Sequence, residues 1–252
     1  MILARSLITI GLALLLIMLR LDAEKFGTAE YYEATRDGEQ PRIRRRLAWY
    51  GLGFAIAIGM LYIHPAPQRD LYLGSGDRLG AVLGGIAYGL LGIAIAVSFA
   101  TFRYHRIRFP DAWSYPGALL NSTATAFIDE AAFRGALLGL LLVGGVNPSL
   151  ANVIQAIVYT LATRLGAPGR DRYLLVLTLG MGLIGGWLTI ATGGIAAAFL
   201  GHSITRFAVF LCTGHTGQTK PRGREVEEIE KRRRTPEGWR IIGSREPTSR
   251  DH

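Results

Sequence analysis

The chain has 252 residues, half of them hydrophobic, and only 19% of it is Asp, Glu, Lys or Arg. Long uncharged apolar runs alternate with short charged patches, which excludes an ordinary soluble domain; a bilayer core about 30 Å thick takes roughly 20 apolar residues per helix, while the short alternating strands of a barrel are not found. The net charge of +9 reads as the Lys/Arg bias of cytoplasmic segments and not as a nucleic-acid surface, since no nucleic-acid motif accompanies it, and the lone Cys212 excludes an internal disulfide.

The first apolar run, residues 6–19, lies between Arg5 and Arg20. It has the length of a secretory signal, but RLDAEKFG follows it without a small-x-small cleavage site, so an uncleaved helix is expected. The second run, 47–63, carries Trp49 and Tyr50 at one end and Tyr62 at the other, which fits interfacial anchors. The third covers 79–102. The fourth, 117–143, is unusual in holding Asn121, Ser122, Thr123, Thr125, Asp129, Glu130 and Arg134. The fifth, about 149–165, starts after Pro148, the sixth covers 173–191, and the seventh, about 194–212, follows a tight Gly193–Gly194 link. Gly84, Gly85, Gly185 and Gly186 are placed to let helix backbones approach closely.

Lys and Arg number seven in 20–46, two in 64–78, three in 103–116, none in 144–148, three in 164–172, none between the last two runs and ten from 213 onward. The counts alternate, so seven spans put every basic patch on one side, with the N-terminus outside and the C-terminus cytoplasmic. The expected fold is therefore an all-α polytopic membrane helix bundle of about seven transmembrane helices over residues 1–212, with a basic soluble tail over 213–252. Within that tail REVEEIEKRRR (224–234) allows a short helix with i,i+4 ion pairs. Arg232, Arg233 and Arg234 form either a solvated patch or one that meets anionic headgroups. Trp239, Ile241 and Ile242 are candidate surface anchors.

A charge at mid-bilayer costs about 2.5–3.5 kcal/mol on insertion scales. Asp129, Glu130 and Arg134 fall near the middle of the fourth run, His202 and Arg206 near the middle of the seventh. Such groups are expected to face the interior and one another, and they mark a functional site by default. Glu130 and Arg134 share a helix face, while Asp129 points about 100° away from Glu130. His202 and Arg206 share another face, and Gln155, Tyr159 and Thr163 make a polar stripe on the fifth run. Three polar faces turned together would enclose a small cavity. A carboxylate out of water is a stronger base, able to activate a water, and a histidine opposite can donate to a developing oxyanion. The same charges would also serve as a structural network, and the residue types alone leave both open.

The segment FIDEAAFRGALLG (127–139) resembles the first motif of the CPBP family, the CAAX proteases and bacteriocin-processing enzymes, which reads Glu-Glu-x-x-x-Arg and often continues with Gly. Tyr159-Thr-Leu-Ala-Thr163 stands where the second motif, Phe-x-x-x-His, belongs, and His202-Ser-Ile-Thr-Arg206 where the third, His-x-x-x-Asn or Asp, belongs. The likeness covers about 115–210. It implies an intramembrane endopeptidase that hydrolyses a peptide bond of a membrane-associated or lipidated substrate. Asp129 would be the base that activates the water, Glu130 and Arg134 would hold Asp129, and His202, Arg206 and Thr163 would bind the oxyanion. Three departures bear on this. Asp129 is one methylene shorter than Glu, about 1.5 Å, and a misplacement of about 1 Å can cost a hundredfold. Thr163 offers a hydroxyl in place of an imidazole. Arg206 in place of Asn can donate to an oxyanion or, by pairing with Asp129, weaken it as a base.

No cofactor is expected. A divalent metal such as zinc takes three protein ligands, commonly histidines, and only Asp129, Glu130 and His202 are at hand. The implied surroundings are the lipid bilayer, as in the inner membrane of a bacterial-type cell, with a membrane or lipidated peptide substrate and a membrane protein as candidate partners. The competing reading is a member without catalysis that serves as scaffold, chaperone or complex subunit. A transporter is disfavoured by the lack of paired broken helices.

Overall fold

The computed structural model describes residues 2–26, 40–104, 107–110, 116–165, 172–213 and 239–242. Helices α1 (Ile2–Leu21), α2 (Gln40–Ile63), the short α3 (Pro67–Asp70) and α4 (Arg78–Tyr104) form the first half. In the second half, α5 (Pro116–Asp129) runs without a break into a π-helical stretch, Glu130–Leu137, and then into α6 (Leu138–Val143). It is followed by α7 (Pro148–Leu165), α8 (Arg172–Thr192) and α9 (Ala196–Thr213). Strand β1 (Ile107–Pro110) pairs antiparallel with β2 (Trp239–Ile242), Ile107 opposite Ile242. The segment expected to anchor the tail to the membrane surface thus returns to the bundle, and the expected tail helix at 224–234 lies outside the described residues.

The helices occupy the seven apolar runs, but they are unequal. By length and composition, the described residues hold four helices able to cross a membrane, over Ala4–Leu21, Arg44–Ile63, Arg78–Phe102 and Leu174–Thr192, while Ala196–Cys212 is shorter. The fourth and fifth runs fall short because charged and amide side chains interrupt them. The outward surface carries large apolar residues such as Leu14, Leu52, Leu83, Leu90 and Trp187.

Between lipid-facing helices apolar attraction is weak, and close packing over small residues replaces it. On α4, a Cβ at Gly85 would sit 2.9 Å from Leu200 Cβ and one at Gly89 3.1 Å from Ile204 Cβ, so α4 and α9 lie in parallel at close range. α8 runs against both: its last residues meet the start of α4, where Asp77 N donates to Thr192 O at 2.7 Å. Gly193, at φ +73°, makes the turn from α8 into α9. α5 enters beside the end of α9, with Ala118 against Phe210. The end of α1 and the start of α2 meet at the same end of the bundle, where Trp49 Nε1 donates to Leu19 O at 2.8 Å.

Two expectations change here. Trp49 and Tyr50 are buried, not interfacial. They flank Arg46, which is buried too and donates to Asn121 Oδ1 at 3.1 Å, Thr125 Oγ1 at 2.9 Å and Ala23 O at 3.2 Å. Arg46 and Arg20, both counted among loop cations, are interior residues. A guanidinium with several acceptors and an aromatic face is well compensated away from water.

Leucine at Gly85 is expected to cost about 1–3 kcal/mol through overpacking, read as a lower melting temperature in detergent. Leu90→Ala, on the exposed face of the same helix, is expected to leave that temperature unchanged.

Candidate active site

Asp129 closes α5 and Glu130 opens the π-helical stretch, both without solvent exposure. π-helical turns within α-helices are frequent at functional sites. The two adjacent carboxylates face different partners, as their angular separation requires. Glu130 Oε1 accepts from His202 Nδ1 at 2.7 Å and lies 3.2 Å from Arg134 Nη1. His202 Nε2 lies 3.2 Å from the Tyr159 hydroxyl. Arg134 is fully buried, its guanidinium 4.1 Å from the centre of the Tyr159 ring. The glycines of α8 leave it room: a Cβ at Gly182 would stand 3.5 Å from Nη2 and one at Gly185 3.5 Å from Nε.

Asp129 is held from two other helices. Its Oδ1 accepts from Arg20 Nε of α1, and its Oδ2 lies 3.9 Å from Arg206 Nη1 of α9. Neither Asp129 Oδ2, Glu130 Oε2 nor Arg206 Nε has a hydrogen-bond partner among the described residues. A water bonded to both atoms at about 2.8 Å each would sit beside the line that joins them. A cavity of about 60 Å³ lies between α4, α7, α8 and α9, lined among others by Tyr88, Tyr159, His202, Thr205 and Arg206. Since one water needs about 10–15 Å³, it has room for several. It sits toward the end of the bundle where α8 begins and α4, α7 and α9 finish.

Of the six expected site residues, Asp129, Glu130, Arg134, His202 and Arg206 come together. Thr163 is buried with its hydroxyl unpartnered among the described residues, and no contact joins it to the carboxylates. The polar stripe on α7 divides: Tyr159 reaches His202, while Gln155 Nε2 donates to Gly182 O at 3.0 Å and Asn152 Oδ1 at 2.8 Å, tying α7 to α8. Arg134 pairs with Glu130, and the bond to Asp129 comes from a residue the sequence reading left out, Arg20. Its signal was faint: a lone arginine with apolar residues on both sides, Leu19 and Leu21.

Among the described residues no three His, Cys, Asp or Glu side chains are grouped to hold one ion; Asp129 has the Arg20 guanidinium on Oδ1 and that of Arg206 3.9 Å from Oδ2.

Residues 111–208 match the family model described as type II CAAX prenyl endopeptidase Rce1-like. No curated protein matches the chain, and no solved structure does. Residues 1–110 and 209–252 lie outside the matched stretch. Taken with the four membrane-capable helices, the match makes the chain an integral membrane protein in a lipid bilayer. The segment 111–208, which carries Asp129, Glu130, Arg134, Thr163, His202 and Arg206, thus matches the CPBP, or CAAX protease, family.

Proposed function

We propose that this protein is an intramembrane endopeptidase that hydrolyses a peptide bond of a membrane-associated or lipidated substrate with a carboxylate-activated water. The family match supports a CAAX-protease-type function in general. The observation that carries the finer reading is the gap of 3.9 Å between Asp129 Oδ2 and Arg206 Nη1, next to a cavity that His202 and Arg206 line. A water bridging those two atoms from the side would give a proton to Asp129 as its oxygen bonds to the scissile carbonyl carbon. Arg206 and His202 would hold the oxyanion that forms. As the carbon–nitrogen bond breaks, the proton on Asp129 would pass to the leaving amine. Glu130, fixed by Arg134, orients His202. Thr163 would add a donor only to a substrate reaching one turn beyond Tyr159. The donors present favour a reaction without a metal.

Seven membrane crossings complete the proposal, with the N-terminus outside and the C-terminus in the cytoplasm. The alternation of Lys and Arg between helices supports it, as does the shared end at which α1 finishes, α2 begins and the cavity lies. That end would be cytoplasmic, and the bacterial-type inner membrane is the proposed location.

Purified protein in detergent, offered mixed membrane and lipopeptide substrates, is expected to cleave, and Asp129→Ala and His202→Ala are each expected to lower the rate about a hundredfold or more. Cleavage that survives both substitutions would sink this mechanism. A wild type silent on every substrate, with both variants unstable, would favour the non-catalytic scaffold.

In a Cys212→Ser background, Ser149→Cys is expected to react with a membrane-impermeant maleimide in intact cells, and Ser249→Cys only after permeabilisation. The reverse pattern would overturn the orientation.

A further inference from the structure

We propose that Arg20 is the positioning residue of this site: from a helix outside the family-matched segment, it keeps Asp129 ionised and turns Oδ2 toward Arg206. The inference rests on the endopeptidase reading. Three observations carry it. The second motif's histidine is absent, and the Thr163 hydroxyl in its place has no hydrogen-bond partner among the described residues. Asp129 is fully buried, and its carboxylate accepts a hydrogen bond from Arg20, itself 5% exposed in its side chain. That bond uses Oδ1 and leaves Oδ2 unpartnered, facing the 3.9 Å gap to Arg206.

The physical need is plain. An isolated carboxylate out of water takes up a proton instead of carrying its charge, and a protonated carboxyl group cannot accept a proton from water. The other cations near Asp129 add to that charge compensation from farther off or while bonded elsewhere. Arg134 and His202 are bonded to Glu130, and Arg206 stands beyond hydrogen-bond range at 3.9 Å. Arg20 supplies the close positive charge. Because it approaches one oxygen through Nε, it also fixes the rotation of the carboxylate. It touches neither the cavity nor the gap, so its effect on a substrate passes through Asp129.

The test uses the full chain in detergent with two readouts. Arg20→Gln keeps a hydrogen-bond donor and removes the charge. Its infrared spectrum at neutral pH is expected to gain the carbonyl stretch of a protonated carboxyl group, which is lost again in Arg20→Gln/Asp129→Asn. Peptide cleavage is expected to fall about a hundredfold in kcat with KM unchanged, and Arg20→Lys, which restores the charge, is expected to recover part of kcat. If Arg20→Gln does not fold, Arg20→Lys alone decides: a kcat within about tenfold of the wild type and the absence of the band support charge as the requirement, whereas a larger loss of activity without the band overturns it. No protonated-carboxyl band in Arg20→Gln, or a band with unchanged kcat, overturns the proposal. A wild type that cleaves no peptide overturns the endopeptidase reading and with it Arg20's part in a reaction; the infrared band then still decides whether Arg20 keeps Asp129 charged.

Discussion

A charge surrounded by hydrocarbon needs an opposite charge close by, and the middle of this bundle is organised around that need. Asp129 is answered from α1 and α9, Glu130 from α9 and from its own helix. The pairs made with Arg20, Arg206 and His202 each join two helices that apolar contact alone would hold weakly. Removing one partner of such a pair leaves a buried charge uncompensated, which is worse than removing both. The same network that closes the bundle also fixes which carboxylate oxygens are left unpartnered, Oδ2 of Asp129 and Oε2 of Glu130. Architecture and chemistry are thus drawn from one set of side chains.

Glycine distribution makes the arrangement possible. Where α4 meets α9, glycines bring two backbones into contact, and where α8 passes Arg134, they leave a slot for a guanidinium. In the first case the missing side chain lets helices touch; in the second it leaves room for a large cation over the Tyr159 ring. The cavity begins where that packing ends, between the start of α8 and the later turns of α4 and α9.

The positions of the long helices were readable because apolar length is written directly in composition, and Glu130, His202 and Arg206 because charge inside an apolar run stands out. What sequence could not convey were relations between distant segments. Arg20 borders its run and was counted with the loop that follows, although its partner lies 109 residues away. Trp49 and Tyr50 occupy helix-end positions that suit lipid headgroups, yet they turn inward to cover Arg46. The π-helical stretch has no signature of its own, since it differs from an α-helix by a shift of one residue in hydrogen-bond register. Gln155 shares a face with Tyr159, but which neighbouring helix a polar face meets depends on packing.

The long separation between charged partners has a consequence for biogenesis. Helices enter a membrane in the order of synthesis, so α1 arrives with Arg20 well before the helix that carries Asp129. Glu130 in turn precedes His202 by 72 residues. For that interval each helix near the translocon holds charges whose counterparts have not yet been made. Arg20, at the end of its run, can wait with its head group in the interface. The continuous helical run from Pro116 to Val143 has no such refuge for its central carboxylates. It depends on α1 having stayed nearby, which gives the first helix a part in insertion that ends only when α9 is in place.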